Sequence, residues 1–393
     1  MPSEPEPGSR NERFRARRED ARKRRRHHRT IALAILIVAA ALVALGATVI
    51  GTRGSHAGKG TKQAAAKEKK AKPATPRPFP VEGRGVHVTM GLASLPGKFE
   101  QYLAIKGLNT IELDVKDENG KVGFLMPNGT LAREIGAAQP YYKARALAAK
   151  AHKAGIYLIG RVVVFEDPTL SAERPDMAIL LSDGSLWRNN AGLGWANPYD
   201  ERVWDYNMTI AEAAARAGFD EIQLDYVRFP SDGPIESAVF SHKVAEPIGW
   251  TVTRFVQYAS TRLKPLGVRI SVDVFGLSAT HELGIGQKPG RLAKYVDAVY
   301  PMVYPSHYSS GEFNLPDPSA SPGQTVSMSL RDFNNALVGR KAMLIPWLED
   351  FSLSGGSRPP EEVQAQIDAA RRNHAKGFLL WNPEGIYTEE VLK

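Results

Sequence analysis

The stretch EIQLDYVRFP, residues 221–230, alternates like a buried β-strand yet carries Asp225 in its middle and Arg228 just behind it. On such a strand Ile222 and Leu224 share one face, and Gln223 and Asp225 share the other. A buried carboxylate is costly unless it is paired, hydrogen-bonded or used. The run RISVDVFG, residues 269–276, repeats the pattern, with Ser271 and Asp273 on the face opposite Ile270, Val272 and Val274. Two carboxyls presented side by side are what glycosidic hydrolysis requires. One attacks the sugar or activates water, and the other protonates the leaving oxygen. Asp225 and Asp273 are therefore the candidate catalytic pair. Arg228 is placed to pair with Asp225, which suits a nucleophile or charge stabiliser. Asp273, flanked by Val272, Val274 and Phe275, has the apolar setting that raises a carboxyl pKa and favours the acid role. The competing structural reading makes both acids part of an ion-pair network with Lys116, Arg161 and Arg228.

Other acids compete for these roles. Glu112 and Asp114 alternate with Ile111, Leu113 and Val115, and Asp114 is a candidate for binding sugar hydroxyls. Glu349 shares a face with Trp347 and is the third choice for the acid. His87, Glu112 and Asp114 can be drawn together as a metal site, but no tight ligand spacing supports one, and no cofactor is expected. Aromatic residues crowd the ends of the strand-like runs: Trp187 and Trp195 in the loop SLWRNNAGLGWANP, Tyr300, Tyr304, His307 and Tyr308 along the run 297–305 and its loop, then Trp347 and Trp381. Flat rings suit the apolar C–H faces of sugars. The expected substrate-binding set is thus His87, Asp114, Arg228, Trp187, Trp195, Tyr304, Trp347, Glu349 and Trp381.

Eight runs rich in Val, Ile, Leu and Tyr must position these residues. They are 85–90, 109–117, 156–167, 221–230, 269–276, 297–305, 343–350 and 377–385. Helical patterns lie between most of them, at 141–155, 200–218, 249–267 and 359–377, and each closes on glycine. Strand and helix alternating eight times over about 310 residues predicts a (β/α)8 barrel. The alternative, a doubly wound open sheet, would usually carry a Gly-rich phosphate loop after its first strand, and 89–97 has none. In a barrel the uniformly apolar face of each strand meets the helices. His87, Thr89, Glu112, Asp114, Lys116, Gln223, Asp225, Ser271 and Asp273 are then left pointing inward, with Asp225 and Asp273 near the C-terminal mouth.

The N-terminal fifth of the chain is different. Residues 1–30 form a basic tail ending in RKRRRHHR, followed by IALAILIVAAALVALGATVI, Ile31 to Ile50, twenty residues without a charge. That length spans a hydrocarbon core, and the preceding cations place the N-terminus in the cytoplasm and the rest outside. An uncleaved signal anchor is expected; a cleavable signal peptide is the competing reading. Residues 51–79 are small, polar and rich in Lys, Ala and Pro, a flexible linker leading to the barrel at 80–393. Of 51 Lys+Arg and 42 Asp+Glu, residues 1–72 hold 18 and 6, so the net charge of +9 belongs to the tail. The folded body is slightly acidic, which removes the main support for a nucleic-acid partner. There is no cysteine, so disulfides and thiolate chemistry are excluded.

With LDYVRFP, SVDVFG, AVYPMVYPSHY and GVHVT in view, residues 81–390 resemble the bacterial putative glycosyl hydrolase domain, a family distantly related to α-amylase and α-galactosidase barrels. The resemblance implies a TIM barrel, glycosidase activity and a nucleophilic aspartate ending the fourth strand, here Asp225. For the acid it implies less: α-galactosidase-like barrels take it from strand six, where only Asp297 stands at the wrong end. Amylase-like barrels take it from strand five, where Asp273 stands in place of their glutamate. The function expected is a membrane-anchored, extracytoplasmic glycoside hydrolase acting on an envelope or extracellular polysaccharide. A non-catalytic carbohydrate-binding or envelope-scaffold barrel is the alternative. A polysaccharide deacetylase would need a metal triad that the sequence does not offer.

Overall fold

The computed structural model describes residues 75–353 and 355–393. The expected anchor, Ile31 to Ile50, lies outside the described residues, and among those described no helix is long and apolar enough to cross a membrane.

The eight apolar runs all form strands. They are β1 (Gly83–Val88), β2 (Thr110–Lys116), β3 (Tyr157–Val163), β4 (Glu221–Asp225), β5 (Arg269–Phe275), β6 (Ala298–Val303), a seventh split into β7 (Met343–Leu344) and β8 (Trp347–Glu349), and β9 (Gly377–Trp381). Pro346, which has no N–H to give a ladder, stands at the split. Every pairing is parallel. The sheet runs from β1 to β6 in order, continues through β7 and β8 to β9, and returns from β9 to β1. That closure removes the open-sheet alternative and leaves no free edge.

Helices cover the barrel as the periodicity requires, the longest being Glu201–Ala217, Ile248–Leu263, Pro322–Ala336 and Pro360–Arg372. The helix over 322–336 was not among the expected ones; its core face is carried by scattered residues, Val326, Leu330 and Phe333. Gly218, at φ 107°, ends the helix before β4 in the left-handed conformation that glycine supplies without strain.

Val86, Val88, Ile111, Leu113, Val115, Ile222, Leu224, Ile270, Val272 and Val274 are all fully buried in the layer between strands and helices. Each contributes roughly 1.5–3 kcal/mol of burial. Gly160 lies on this face too, where a Cβ would come within 2.8 Å of Phe219 and 2.9 Å of Val115. The barrel interior holds Tyr157, Ile159, Tyr300, Trp347 and Leu379.

Three expectations are corrected here. Lys116 does not face inward. The register slips between Asp114 and Lys116, and this bulge turns Lys116 into the helical shell. There it pairs with Asp167 at 2.6 Å, donates to Asn207 at 2.8 Å and lies 5.1 Å from the Tyr206 ring centroid. Thr89 is not a strand residue; its hydroxyl accepts the Leu92 N–H and caps a short helix, Met90–Ser94. The folded body also starts before residue 80. Phe79 packs edge-on against Tyr157 with centroids 5.0 Å apart, and Arg77 donates to the Ile156 carbonyl at 3.1 Å. Phe79 therefore plugs the N-terminal end of the barrel, beneath the strands.

Candidate active site

The strand registers decide which inward side chains meet. Leu224 stands opposite Val272, so the next residues, Asp225 and Asp273, lie level on adjacent strands. Neighbouring strands run about 4.8 Å apart, so the two carboxyl stems start close together. Asp114 is opposite Arg161, and His87 is opposite Glu112. Six polar side chains from five consecutive strands thus converge at one end of the interior. All six are at least 94 % buried.

Arg161 is the hub. It donates to Asp225 Oδ2 from Nε at 2.9 Å and from Nη2 at 2.7 Å, and to Asp114 Oδ1 from Nη1 at 2.7 Å. Glu112 and Glu118 are 3.8 and 3.7 Å from it. Burial opposes its charge, but the carboxylates around it outweigh burial and hold it firmly protonated. The ion pair of the structural reading is therefore present through Arg161, whereas Lys116 and Arg228, the other two cations it named, do not join it. Arg228 lies instead among the rings of Trp195, Tyr226 and Phe275, with one hydrogen bond, to the Phe229 carbonyl at 3.1 Å. The signal for Arg161 was in the sequence. By alternation from Tyr157 and Ile159 it falls on the inner face of IYLIGRVVV.

The two aspartates differ sharply in environment. Asp225 is charge-paired, and its Oδ1 also accepts the backbone N–H of Tyr226 at 2.6 Å. Among the described residues, Asp273 has no cation at hydrogen-bond distance. Its Oδ1 accepts from Gln223 Nε2 at 2.6 Å and from Trp347 Nε1 at 2.7 Å. Burial pushes its pKa well up, and the nearby charges of Asp225 and Glu112 push it further. The direction is the one read from the sequence, but the cause differs. Val272 and Val274 face the helices, and the desolvation comes from the barrel interior.

His87 and Glu112 form a short contact through Nδ1 and Oε2. Burial opposes the imidazolium, but Glu112 and Asp114 outweigh it and raise the His87 pKa. Burial raises the Glu112 pKa despite His87. The His87 ring packs against Trp381, with centroids 4.6 Å apart, and its Nε2 is enclosed without a hydrogen-bond partner among the described residues. His87 thus braces the wall of the site. Asp114 Oδ2 accepts the Met90 N–H at 3.4 Å, so Asp114 ties β2 to the loop after β1.

The remaining candidates separate. Tyr304 feels both Asp273 and Asp225, which reinforce burial in raising its hydroxyl pKa, so it lies beside the pair. Trp347 gives its N–H to Asp273, and Trp381, partly exposed, meets it edge-on with centroids 6.2 Å apart. Trp187 does not offer a ring to the mouth: it is fully buried and donates to the Pro234 carbonyl at 2.9 Å. Trp195 is likewise 1 % exposed, packed against Tyr226 and Arg228. Glu349 has both oxygens engaged, by Arg358 Nε and the Ser306 N–H, each at 2.8 Å. Sequence reasoning missed Gln223 as a ligand of Asp273 and missed Tyr226 altogether. No cluster of side chains suited to a metal ion occurs among the described residues.

No curated protein sequence matches the chain. Among solved structures, the glycoside hydrolase domain of PgaB (BpsB) from Bordetella bronchiseptica is 14% identical with a TM-score of 0.58, covering 79% of this chain and 99% of its own. The endo-β-1,4-mannanase of Thermotoga petrophila is 13% identical with a TM-score of 0.51, covering 82% and 76%. A hypothetical protein from Ruminiclostridium thermocellum ATCC 27405 is 34% identical over 48% of this chain and 97% of its own, with a TM-score of 0.44. At 13–14% identity the first two show a shared fold. The family described as "Putative glycosyl hydrolase domain" matches residues 85–387, from the first strand of the barrel to beyond the last. The chain belongs to that family, and its enzyme class is glycosidase.

Proposed function

We propose that this glycosidase cleaves a polysaccharide with Asp225 as nucleophile and Asp273 as general acid. One observation carries the assignment: two carboxyls stand level on adjacent strands in environments that drive them apart. Asp225 has a cation and a backbone amide on its oxygens, as an attacking carboxylate needs. Asp273 has its pKa raised by burial and by the charges of Asp225 and Glu112, the direction a proton donor needs. The close spacing of their stems favours the short carboxyl separation of a retaining, double-displacement reaction. Arg161 aligns Asp225, and Gln223 and Trp347 fix Asp273 through Oδ1, leaving Oδ2 to carry the proton. Tyr304 and Trp381 supply ring surface beside the pair.

The substrate class in this reading is an envelope or extracellular polysaccharide. Ile31 to Ile50 would anchor the protein in the cell membrane by a single pass, with residues 1–30 cytoplasmic, 51–79 as linker and the barrel outside. The test is release of reducing ends from a panel of polysaccharides by the full-length protein beside Asp225→Asn. Turnover by wild type and its loss in the variant support the assignment, whereas equal activity in both removes it. Protease accessibility of the barrel on intact cells checks the topology.

A further inference from the structure

Tyr226, the residue after Asp225, has φ 49°. A bulky side chain in the left-handed region is strained and persists only where its surroundings enforce it. Here the strand ends at Asp225, and the next N–H leaves the ladder to meet Asp225 Oδ1 at 2.6 Å. With Arg161 on Oδ2, both oxygens of that carboxylate are fixed, one by β3 and one by its own turn. We propose that Tyr226 is a positioning residue for Asp225, held in its left-handed turn by a clamp of Arg228, Trp195 and Phe275. The inference rests on Asp225 being the reacting carboxylate.

The clamp accounts for features otherwise unconnected. The Arg228 guanidinium is 4.7 Å from the Tyr226 ring centroid, 5.0 Å from that of Trp195 and 4.8 Å from that of Phe275. It is 98 % buried and forms no ion pair among the described residues. A buried cation with no ion pair among the described residues is costly, and stacking on aromatic faces offsets part of that cost. Trp195, carried in by the long loop after β3, completes the other side, its ring centroid 6.1 Å from that of Tyr226. Arg228 and Trp195, expected to touch sugar, therefore act through Tyr226. Turning residue 226 back to an extended conformation would take its amide off Asp225, and a misplacement of about 1 Å costs on the order of 10²-fold in rate.

The experiment combines kinetics on the polysaccharide that wild type cleaves with crystal structures of the variants. Tyr226→Val cannot hold the turn; we expect kcat down about 10²-fold, KM within about twofold and the Asp225 carboxylate displaced. Tyr226→Asn, which tolerates φ above zero without a ring, should recover most of kcat, and Tyr226→Phe nearly all of it. Arg228→Met should loosen the clamp and cost about tenfold in kcat, a second route should the valine variant not fold. An unmoved Asp225 in the valine or methionine variant overturns the proposal. So does Tyr226→Phe failing like Tyr226→Val, which would assign the role to the hydroxyl, or a rise in KM alone, which would make Tyr226 a substrate contact. The structural arm needs no substrate. A wild type inert on every polysaccharide, with the carboxylate displaced in Tyr226→Val, would remove the proposed reaction and leave the positioning role standing.

Discussion

The barrel buries acids at both ends, and it surrounds them differently at each. At the floor Glu221 is fully buried beneath the pair, accepts the Tyr157 hydroxyl at 3.0 Å and is raised in pKa by burial, which the Ser271, Tyr157 and Tyr300 hydroxyls partly offset. Among the described residues no cation pairs with it, and Phe79 closes the space below. At the mouth, by contrast, a charged guanidinium holds one carboxylate while the next is left without a cation. The difference teaches that burial of an acid is not by itself a sign of function. What marks the mouth is an unequal pair, with charge compensation given to one member and withheld from the other.

The largest test of that contrast is Asp225→Asn. It should lower turnover by about three to four orders of magnitude with the barrel still folded, read as reducing-end release beside circular dichroism. Next comes Arg161→Met, which leaves Asp225 and Asp114 buried without their shared cation. Removing one partner of such a pair costs about 3–5 kcal/mol, so urea unfolding should show a loss of that size. A loss below about 1 kcal/mol would mean that the hub is solvated and that the mouth is no different in kind from a surface cluster.

Asp273→Asn separates chemistry from stability. Burial and the charges of Asp225 and Glu112 raise the folded carboxyl's pKa and so favour its neutral form, and the asparagine oxygen can still accept from Gln223 and Trp347. Activity should fall about 10²–10⁴-fold while thermal stability at acid pH barely changes. The sign of the pH effect follows from the raised folded pKa. The group's stabilising contribution is complete below the unfolded value of about 3.9 and is lost as pH rises towards the folded value. The variant lacks that loss, so its stability relative to wild type should grow as pH rises above about 4, followed by melting curves across pH.

Much of this was legible in the residues. The closed barrel follows from eight strand-like runs alternating with helical ones, and the inward face of Asp225 and Asp273 from period-two alternation within their strands. What escaped is what alternation does not encode. The bulge after Asp114 reverses Lys116, since one extra residue flips every side chain beyond it. Alternation puts Arg161 on the inner face, but which of Lys116, Arg161 and Arg228 meets Asp225 is set by the strand register with β3, 64 residues away. The loop tryptophans read as binding rings because composition gives ring count and not solvent access. Tyr226 has no sequence signal at all, because a left-handed non-glycine residue is imposed by its clamp rather than by its own preference.

The smallest expected effect is the sharpest on the comparison itself. Glu221→Gln replaces a buried acid of raised pKa by a neutral isostere at the floor, and the Tyr157 hydroxyl retains an acceptor. If the floor is structural, kcat and KM should stay within about twofold of wild type, and stability at acid pH within about 1 kcal/mol. The folded pKa of Glu221 is raised, so wild-type stability from this group is complete below about 4.3 and declines as pH rises towards the folded value. The variant should therefore grow more stable relative to wild type with rising pH, as Asp273→Asn does, but with activity intact. The two variants then share a titration signature and differ only in turnover. A large loss of kcat in Glu221→Gln would instead make floor and mouth one coupled site, and the division between them would fall.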